Sequence, residues 1–205
     1  SNDQADLCVF PELALCGYPP HDLLDRSEFL ERNEYYLEKL SQKTQNSQCA
    51  LVVGYAGKNK KPFGRSAQNN LAVFYQGKRV FEQSKSLLPT YDVFDEARYF
   101  DASNDVGLWE FKEQQIGFAI CEDLWAEGTQ ADEAKRLYER DLADELKSLG
   151  ATLVISLSAS PYEWGKAPKR EELHCKISKK NRVPLIYVNC VGATDEILFD
   201  GGSFI

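Results

Sequence analysis

The chain has 205 residues, which is enough for one well-cored domain and leaves little length for a second full domain. Its 24 basic and 32 acidic side chains give a formal net charge of -8. That balance disfavours a nucleic-acid or anionic-membrane surface, because both need a basic footprint. No apolar run approaches membrane-spanning length, and no signal-peptide pattern opens the chain. The 6 cysteines include no CxxC pair, so we expect reduced thiols and a cytoplasmic protein.

Short apolar runs bounded by turn residues predict strands, and apolar residues recurring every three or four positions predict helices. In chain order we expect a strand at 5–10, a turn-rich loop at 17–25, a helix at 27–45 with Ser27 as its N-cap, a strand at 49–57, a hairpin of 70–75 and 78–84, a strand at 114–121, a helix at 130–150 closed by Gly150, a strand at 151–160, a helix at 169–181 and a strand at 183–192. This alternation, broken by one hairpin, predicts an α/β domain with a mixed sheet and functional groups at strand ends.

Three predicted strands are each followed at once by a reactive side chain, namely Glu12, Lys85 and Cys121. Together these groups would supply a proton shuttle, a stabilising cation and a nucleophile, since a nearby ammonium lowers a thiol's pKa. The alternative stays open that Glu12 and Lys85 are solvated loop charges and that Cys121 is a buried small hydrophobe. Among the other candidates, we expect Cys8 and Cys190 to pack inside strands and His174 to lie on a helix surface.

Five segments that appear in order along the chain resemble a known family. They are FPELALCGYPPHDLL, KSLLPTYDVFDEARYF, GFAICEDLW, SASPYEWGK and VNCVGATDEILFDGGSF. They are similar to the nitrilase superfamily of carbon–nitrogen hydrolases and, more narrowly, to the glutaminase domain of glutamine-dependent NAD+ synthetases. The resemblance implies a nitrilase-like four-layer α-β-β-α sandwich with mixed sheets, and homo-oligomers that pair through their outer helices.

The resemblance also implies a role for particular residues. Glu12 would be the general base, Lys85 the stabilising cation and Cys121 the nucleophile that attacks glutamine. The implied substrate-binding residues are Tyr91, Glu122, Trp125, Ser160 and Lys166, with Tyr18 as a weaker candidate. The chain departs from the family at "GATDE", where a glutamine side chain is usual, so any contact made by that glutamine is in doubt.

Against the family pattern we expect residues 1–205 to be one glutaminase domain, incomplete at both ends and without its synthetase domain. The resemblance implies no cofactor for the glutaminase step. It places ATP with Mg and deamido-NAD+ at the synthetase domain of the same polypeptide, which would receive ammonia from L-glutamine. Two alternatives remain, a stand-alone amidase of the same superfamily that acts on another ω-amide and a catalytically silent fragment of the fold.

Overall fold

The computed structural model describes residues 5–126 and 138–205. The chain divides into two compact units, Ser1–Ser103 and Asn104–Ile205. Each unit contains its own four-stranded mixed sheet, which confirms the predicted α/β class with mixed sheets. Within the described ranges, no helix combines the length and the apolar character that a membrane crossing requires.

The first unit contains β1 (Leu7–Val9), α1 (Ser27–Lys43), β2 (Ala50–Lys58), β3 (Ala67–Tyr75), β4 (Lys78–Ser84) and the short helix α2 (Glu96–Tyr99). Its strands follow the order β1-β2-β3-β4, in which β1 and β2 are parallel and the other neighbours are antiparallel. The predicted hairpin is confirmed as β3 and β4. A buried cluster of Leu37, Tyr55, Ala72 and Phe74 joins α1 to β2 and β3.

Helix α1 begins where the sequence predicts, but its N-cap residue is not the predicted one. Arg26 occupies the N-cap position without a side-chain hydrogen bond, and Ser27 is already helical. The prediction of Ser27 as the N-cap is therefore wrong by one residue. The predicted loop at 17–25 contains one turn of 3-10 helix over His21–Asp25, which ends directly before α1.

The second unit contains β5 (Leu108–Phe111), β6 (Gln114–Ile120), α3 (Leu142–Leu149), β7 (Leu153–Ser158), α4 (Lys166–Asn181), β8 (Leu185–Asn189), β9 (Val191–Thr194) and β10 (Ile197–Asp200). Its sheet follows the order β5-β6-β7-β8, with β6, β7 and β8 parallel and β5 antiparallel to β6. Strands β9 and β10 form a separate hairpin. Because β6, β7 and β8 run in the same direction, the segments that follow them lie at the same edge of the sheet.

The helix predicted at 130–150 is shorter in the described residues. Residues 138–141 are not helical, and residues 130–137 lie outside the described part. Asp141 is the N-cap of α3, and its side chain accepts a hydrogen bond from the backbone N–H of Asp144 at 3.2 Å. An aspartate that caps a helix in this way lies directly before the first helical residue, so α3 begins at Leu142 and not at the predicted start. Gly150 ends α3 in the left-handed conformation, as predicted.

Two features of the second unit left no clear pattern in the sequence. Strand β5 is joined to β6 through Lys112 and Glu113, which have φ values of 47° and 66°. Such tight turns usually carry Asn or Gly, so a Lys-Glu pair gives no turn signal. The strand predicted at 183–192 is split, because β8 ends at Asn189 and β9 begins at Val191.

Gly54 on β2 allows the loop after β1 to lie directly against the strand. A Cβ atom at this position would be 2.5 Å from the backbone nitrogen of Leu13 and 2.5 Å from the carbonyl oxygen of Pro11. The loop that carries Glu12 therefore rests on bare backbone. A side chain at position 54 would push that loop away from the sheet.

We therefore expect Gly54→Ala to lower the free energy of unfolding by about 1–3 kcal/mol, since neither backbone can move aside without losing hydrogen bonds. Gly117→Ala on β6 is a matched control. Its new Cβ would be 2.8 Å from a methyl group of Leu146, a side chain that can rotate, so its effect should be smaller. Denaturant unfolding of both variants measures the difference, and equal losses would contradict the role given to Gly54.

Candidate active site

The site residues expected from the sequence fall in both units. Glu12, Lys85 and Tyr91 belong to the first unit, and Cys121, Glu122, Trp125, Ser160 and Lys166 belong to the second.

Lys85 follows β4 directly and has a fully buried side chain, 1% exposed. Its backbone N–H donates to the carbonyl of Asn69 at 2.8 Å, and its carbonyl accepts from the N–H of Ser103 at 3.0 Å. Its ammonium donates to Oε1 of Glu12 at 2.7 Å and to Oε1 of Glu96 at 2.8 Å. The interpretation of Lys85 as a solvated loop charge is therefore wrong.

Glu12 is held in the loop after β1, with only 1% of its surface exposed. Its Oε1 accepts hydrogen bonds from Lys85 and from the amide of Asn69, the latter at 2.7 Å. The next residue, Leu13, has a positive φ of 48°, which turns the chain so that the Glu12 side chain reaches the sheet. The first unit thus brings Glu12 and Lys85 into direct contact. The interpretation of Glu12 as a solvated loop charge is therefore also wrong.

Glu96 is a third charged member of this group that the sequence reasoning missed. It opens α2 and is buried, and its Oε1 accepts from both Lys85 and the hydroxyl of Tyr18, each at 2.8 Å. Burial raises the pKa of Glu96 to about 7, an effect that the Lys85 charge opposes and the Glu12 charge reinforces. An acid at the start of a helix usually faces solvent, so only its place in the FDEARYF segment could have indicated a role. Tyr18, the weaker candidate, is placed in this group by its bond to Glu96.

Cys121 lies directly after β6, at the start of a short 3-10 helix over Cys121–Leu124. Its φ is 45°, a left-handed conformation that a non-glycine residue seldom adopts and that often marks functional sites. The turn is held by Asp123, whose buried carboxylate accepts a hydrogen bond from the N–H of Ile120 at 2.9 Å. The thiol is therefore placed at a strained turn beyond the carboxyl end of a central strand.

The other cysteines differ from Cys121 in exposure. All 6 lie in the described part of the chain, and only Cys121 is buried. Cys8 is exposed on the edge strand β1, and Cys190 is partly exposed after β8. Cys8 therefore lies inside a strand as expected but is not packed there, because one face of β1 is left open at the edge of its sheet. Cys190 lies between β8 and β9 rather than inside a strand, so that expectation is wrong.

Glu122 and Trp125 share the turn with Cys121, and both are buried. Oε1 of Glu122 accepts a hydrogen bond from the hydroxyl of Tyr138 at 3.0 Å. The ring of Trp125 packs edge-to-face against His174, with ring centroids 6.3 Å apart. His174 was expected on the surface of its helix, but it is buried there, and burial lowers its pKa to about 4.

Ser160 and Lys166 lie on the connection that follows β7. Asn189, at the end of β8, hydrogen-bonds both backbone groups of Ser160, accepting from its N–H at 2.8 Å and donating to its carbonyl at 3.3 Å. Lys166 opens α4, which begins three residues earlier than predicted, and its side chain is mostly buried. Asn189 is a second residue that the sequence reasoning missed.

Tyr91 stands apart from the buried groups of the first unit. Its side chain is 42% exposed and lies edge-to-face with Phe94, with ring centroids 5.7 Å apart. A partly exposed aromatic ring on a turn is available to contact a ligand, and the same packing is equally compatible with a structural role.

Within residues 5–126 and 138–205, no three His, Cys, Asp or Glu side chains are grouped so that they could hold a metal ion.

A search against protein families matches the carbon–nitrogen hydrolase model to residues 1–205. The chain belongs to the carbon–nitrogen hydrolase family. The match covers both units, and it confirms the family resemblance carried by the five segments quoted above.

Curated proteins named glutamine-dependent NAD(+) synthetase are similar to this chain. The protein from Synechocystis sp. is 42% identical over 203 residues, which are 98% of this chain and 36% of that protein. The protein from Thermotoga maritima is 36% identical over 201 residues, which are 98% of this chain and 32% of that protein. This chain therefore spans about a third of the length of these curated relatives.

Solved structures share the fold of this chain. The glutamine-dependent NAD+ synthetase from Acinetobacter baumannii superposes with a TM-score of 0.84 and 32% identity, over 98% of this chain and 34% of that one. An amidase of the nitrilase superfamily from Nesterenkonia AN1 superposes with a TM-score of 0.75 and 20% identity, over 98% of this chain and 69% of that one. The second similarity concerns the fold alone.

The raised pKa of Glu96 predicts a pH dependence of stability. Between its ordinary value of 4.5 and about 7, the folded protein binds a proton that the unfolded chain releases. The free energy of unfolding contributed by this group therefore falls as the pH rises through that window. We expect Glu96→Gln, which cannot titrate, to lose this part of the slope in denaturant unfolding between pH 4.5 and 7.5.

Glu172→Gln is the control for this experiment. The Glu172 side chain is 66% exposed on α4, so its loss should leave the slope close to that of the unmodified protein. Parallel slopes for Glu96→Gln and the unmodified protein would mean that the carboxyl of Glu96 does not titrate abnormally.

Proposed function

We propose that this chain is a glutamine amidohydrolase, which releases ammonia from the side-chain carboxamide of L-glutamine through a thioester on Cys121. The observation that carries the proposal is the buried ammonium of Lys85, 2.7 Å from Glu12 and 2.8 Å from Glu96. Buried charges are costly to retain and replaceable by apolar packing without loss of stability, so their presence favours a chemical role. The names of the relatives favour glutamine as the amide.

The first half of the reaction forms the thioester. The sulfur of Cys121 attacks the carboxamide carbon while Glu12 takes the thiol proton, and negative charge develops on the amide oxygen. Lys85 and the backbone N–H of Glu122 stabilise that oxyanion, a contribution worth about 2.7–4 kcal/mol for one donor in comparable sites. The carbon–nitrogen bond then breaks, and Glu12 returns the proton to the departing nitrogen, which leaves as ammonia.

The second half releases glutamate. Glu12 is again a carboxylate and takes a proton from water, whose oxygen attacks the thioester carbon. The carbon–sulfur bond breaks, and the proton returns to the sulfur, which restores Cys121. The two bonds from Lys85 and Asn69 to a single oxygen of Glu12 hold the carboxylate in one orientation for both proton transfers.

Glutamine recognition in this proposal uses the residues that the family resemblance implies. Glu122 pairs with the substrate ammonium, and Lys166 and Ser160 with its carboxylate. Trp125 and Tyr91 contribute apolar contacts with the substrate. The burial of Glu122, Trp125 and Ser160 supports this assignment, since a charge or hydroxyl in a dry place gains more from a ligand partner.

The wider reaction is inferred from the relatives. We infer that the ammonia is passed to an ATP- and Mg-dependent synthetase domain of the same polypeptide, which converts deamido-NAD+ to NAD+. In this view residues 1–205 act as one glutaminase domain within a cytoplasmic homo-oligomer, and the glutaminase step itself needs no cofactor. The six free cysteines fit a reducing compartment.

Ammonia release tests the nucleophile and the substrate together. We expect the full-length parent protein to release ammonia from glutamine in preference to asparagine and other ω-amides. Cys121→Ala should lower that rate at least about 1,000-fold, because the covalent route is lost. Equal release from several ω-amides would instead favour a stand-alone amidase, and release that survives the substitution would overturn the thioester mechanism.

Thiol labelling separates an active site from a silent fold. We expect a diazoketone analogue of glutamine to modify Cys121, although its side chain is buried, before the exposed Cys8 and Cys175. Plain iodoacetamide should follow exposure instead and label Cys8 and Cys175 efficiently. If the glutamine analogue also labels the cysteines in order of exposure, the fold does not activate Cys121 and the silent alternative gains support.

A further inference from the structure

Asn69 on β3 contacts two members of the proposed catalytic group in different ways. Its side chain is buried, and its amide Nδ2 donates to Oε1 of Glu12 at 2.7 Å. Its backbone carbonyl accepts from the N–H of Lys85 at 2.8 Å, directly after the end of β4. One residue therefore fixes both the Glu12 side chain and the backbone that carries the Lys85 side chain.

The pleat of β3 determines which of two adjacent asparagines reaches Glu12. Neighbouring side chains on a strand point to opposite faces of the sheet. Asn70 points to the other face, where its Nδ2 donates to the hydroxyl of Tyr55 at 3.3 Å. Tyr55 belongs to the buried cluster that packs against α1. Asn70 therefore lies on the face covered by the helix, and Asn69 lies on the face that the Glu12 loop contacts.

The hydrogen bonds that Lys85 and Asn69 donate to Glu12 both end on the same oxygen. Oε1 receives the ammonium of Lys85 and the amide of Asn69, each at 2.7 Å. A carboxylate oxygen offers about two lone-pair positions, so two donors occupy those of Oε1. A proton added to Oε1 would have to displace one donor and would lie beside the Lys85 charge, which is electrostatically unfavourable. Proton transfer is therefore favoured at Oε2.

We propose that Asn69 is a positioning residue that, together with Lys85, holds Oε1 of Glu12 and thereby makes Oε2 the oxygen that carries the proton. This inference rests on the proposed function, because it concerns the same proton transfers. Oε2 takes the thiol proton of Cys121 as the sulfur–carbon bond forms, and gives it to the nitrogen as the carbon–nitrogen bond breaks. It then takes a proton from water as the oxygen–carbon bond forms, and returns it to the sulfur as the carbon–sulfur bond breaks.

Asn69→Ala in the full-length protein tests the proposal. A positioned general base contributes about 100- to 10,000-fold to a rate, and a base that can rotate loses part of this contribution. We expect kcat for glutamine to fall about 10- to 100-fold. The KM should change less than about threefold, because both halves of the reaction use the same base. An unchanged or raised kcat would contradict the proposal, since a proton carried by Oε1 gains from the loss of a competing donor.

Asn70→Ala is the matched control. It removes the same atoms from the next residue of the same strand, and Asn70 is also buried. In both asparagines Oδ1 has no hydrogen-bond partner within the described part of the chain, so each variant loses one side-chain bond, donated by Nδ2. We expect both variants to lower the unfolding midpoint and only Asn69→Ala to lower kcat. Equal losses of kcat would mean that Asn69 acts through the stability of β3 alone.

Asn69→Asp keeps the test decisive if Asn69→Ala does not fold. An aspartate has nearly the same shape as asparagine, but its carboxylate can only accept hydrogen bonds. It therefore removes the donor without leaving a cavity, and it places a second negative charge beside Oε1. We expect kcat to fall at least as far as in Asn69→Ala, and a kcat within about twofold of the unmodified protein would rule out the positioning role.

A double-variant cycle with Glu12→Gln shows whether Asn69 acts through Glu12. The measured quantity is the rate at which a diazoketone analogue of glutamine modifies Cys121, because this single event can be followed in slow variants by mass spectrometry. Asn69→Ala should lower that rate when Glu12 is present and leave it unchanged in Glu12→Gln. Equal losses in both backgrounds would overturn the positioning role and leave the proposed function intact. If the unmodified protein neither hydrolyses glutamine nor, as Cys121→Ala, binds it in a calorimeter, the proposed function and the positioning role are both wrong.

Discussion

The structure of the first unit depends on keeping the Lys85 ammonium between two carboxylates away from water. Removing one member of a buried charged group costs about 3–5 kcal/mol, because the remaining charge is left uncompensated. The surroundings supply that compensation with neutral donors, the amide of Asn69 for Glu12 and the hydroxyl of Tyr18 for Glu96. Backbone bonds on both sides of Lys85 then prevent its strand end from moving out to solvent. The loop after β1, the end of β4 and the start of α2 are all positioned around this single charge.

In the second unit, the direction of the strands positions the candidate site residues. Cys121 follows β6, Ser160 follows β7 and Asn189 ends β8, and the three strands are parallel. Their carboxyl ends therefore deliver these groups to one edge of the sheet. Strain at Cys121 is offset by the Asp123 cap, and the connection at Ser160 is fixed by Asn189.

The sequence marks Glu12, Lys85 and Cys121 as candidates because each follows an apolar run of an α/β pattern, and the family resemblance is what assigns them their roles. It does not indicate Glu96, whose role comes from neighbours distant in the chain. Glu96 has the local pattern of an acidic residue at the start of a helix. The same reason explains His174, which has the local pattern of a surface helix position and is buried only because β8 and the chain end pack against it. Local patterns also failed where the turn residues were atypical, as at Lys112 and Glu113.

The hydrogen bonds of Asn189 have a consequence for the order in which parts of the second unit fold. Besides Ser160, its Nδ2 donates to the carbonyl of Gly201, and its backbone N–H donates to the hydroxyl of Ser203. A single side chain thus joins segments that are separated by about forty residues. During synthesis on the ribosome, the bonds that hold the connection bearing Ser160 form only after Asn189 has emerged, and those that fix Asn189 form only after Gly201 and Ser203 have followed. The strands β6 and β7 can form earlier, so the connection that bears Ser160 takes its final shape after the sheet that carries it.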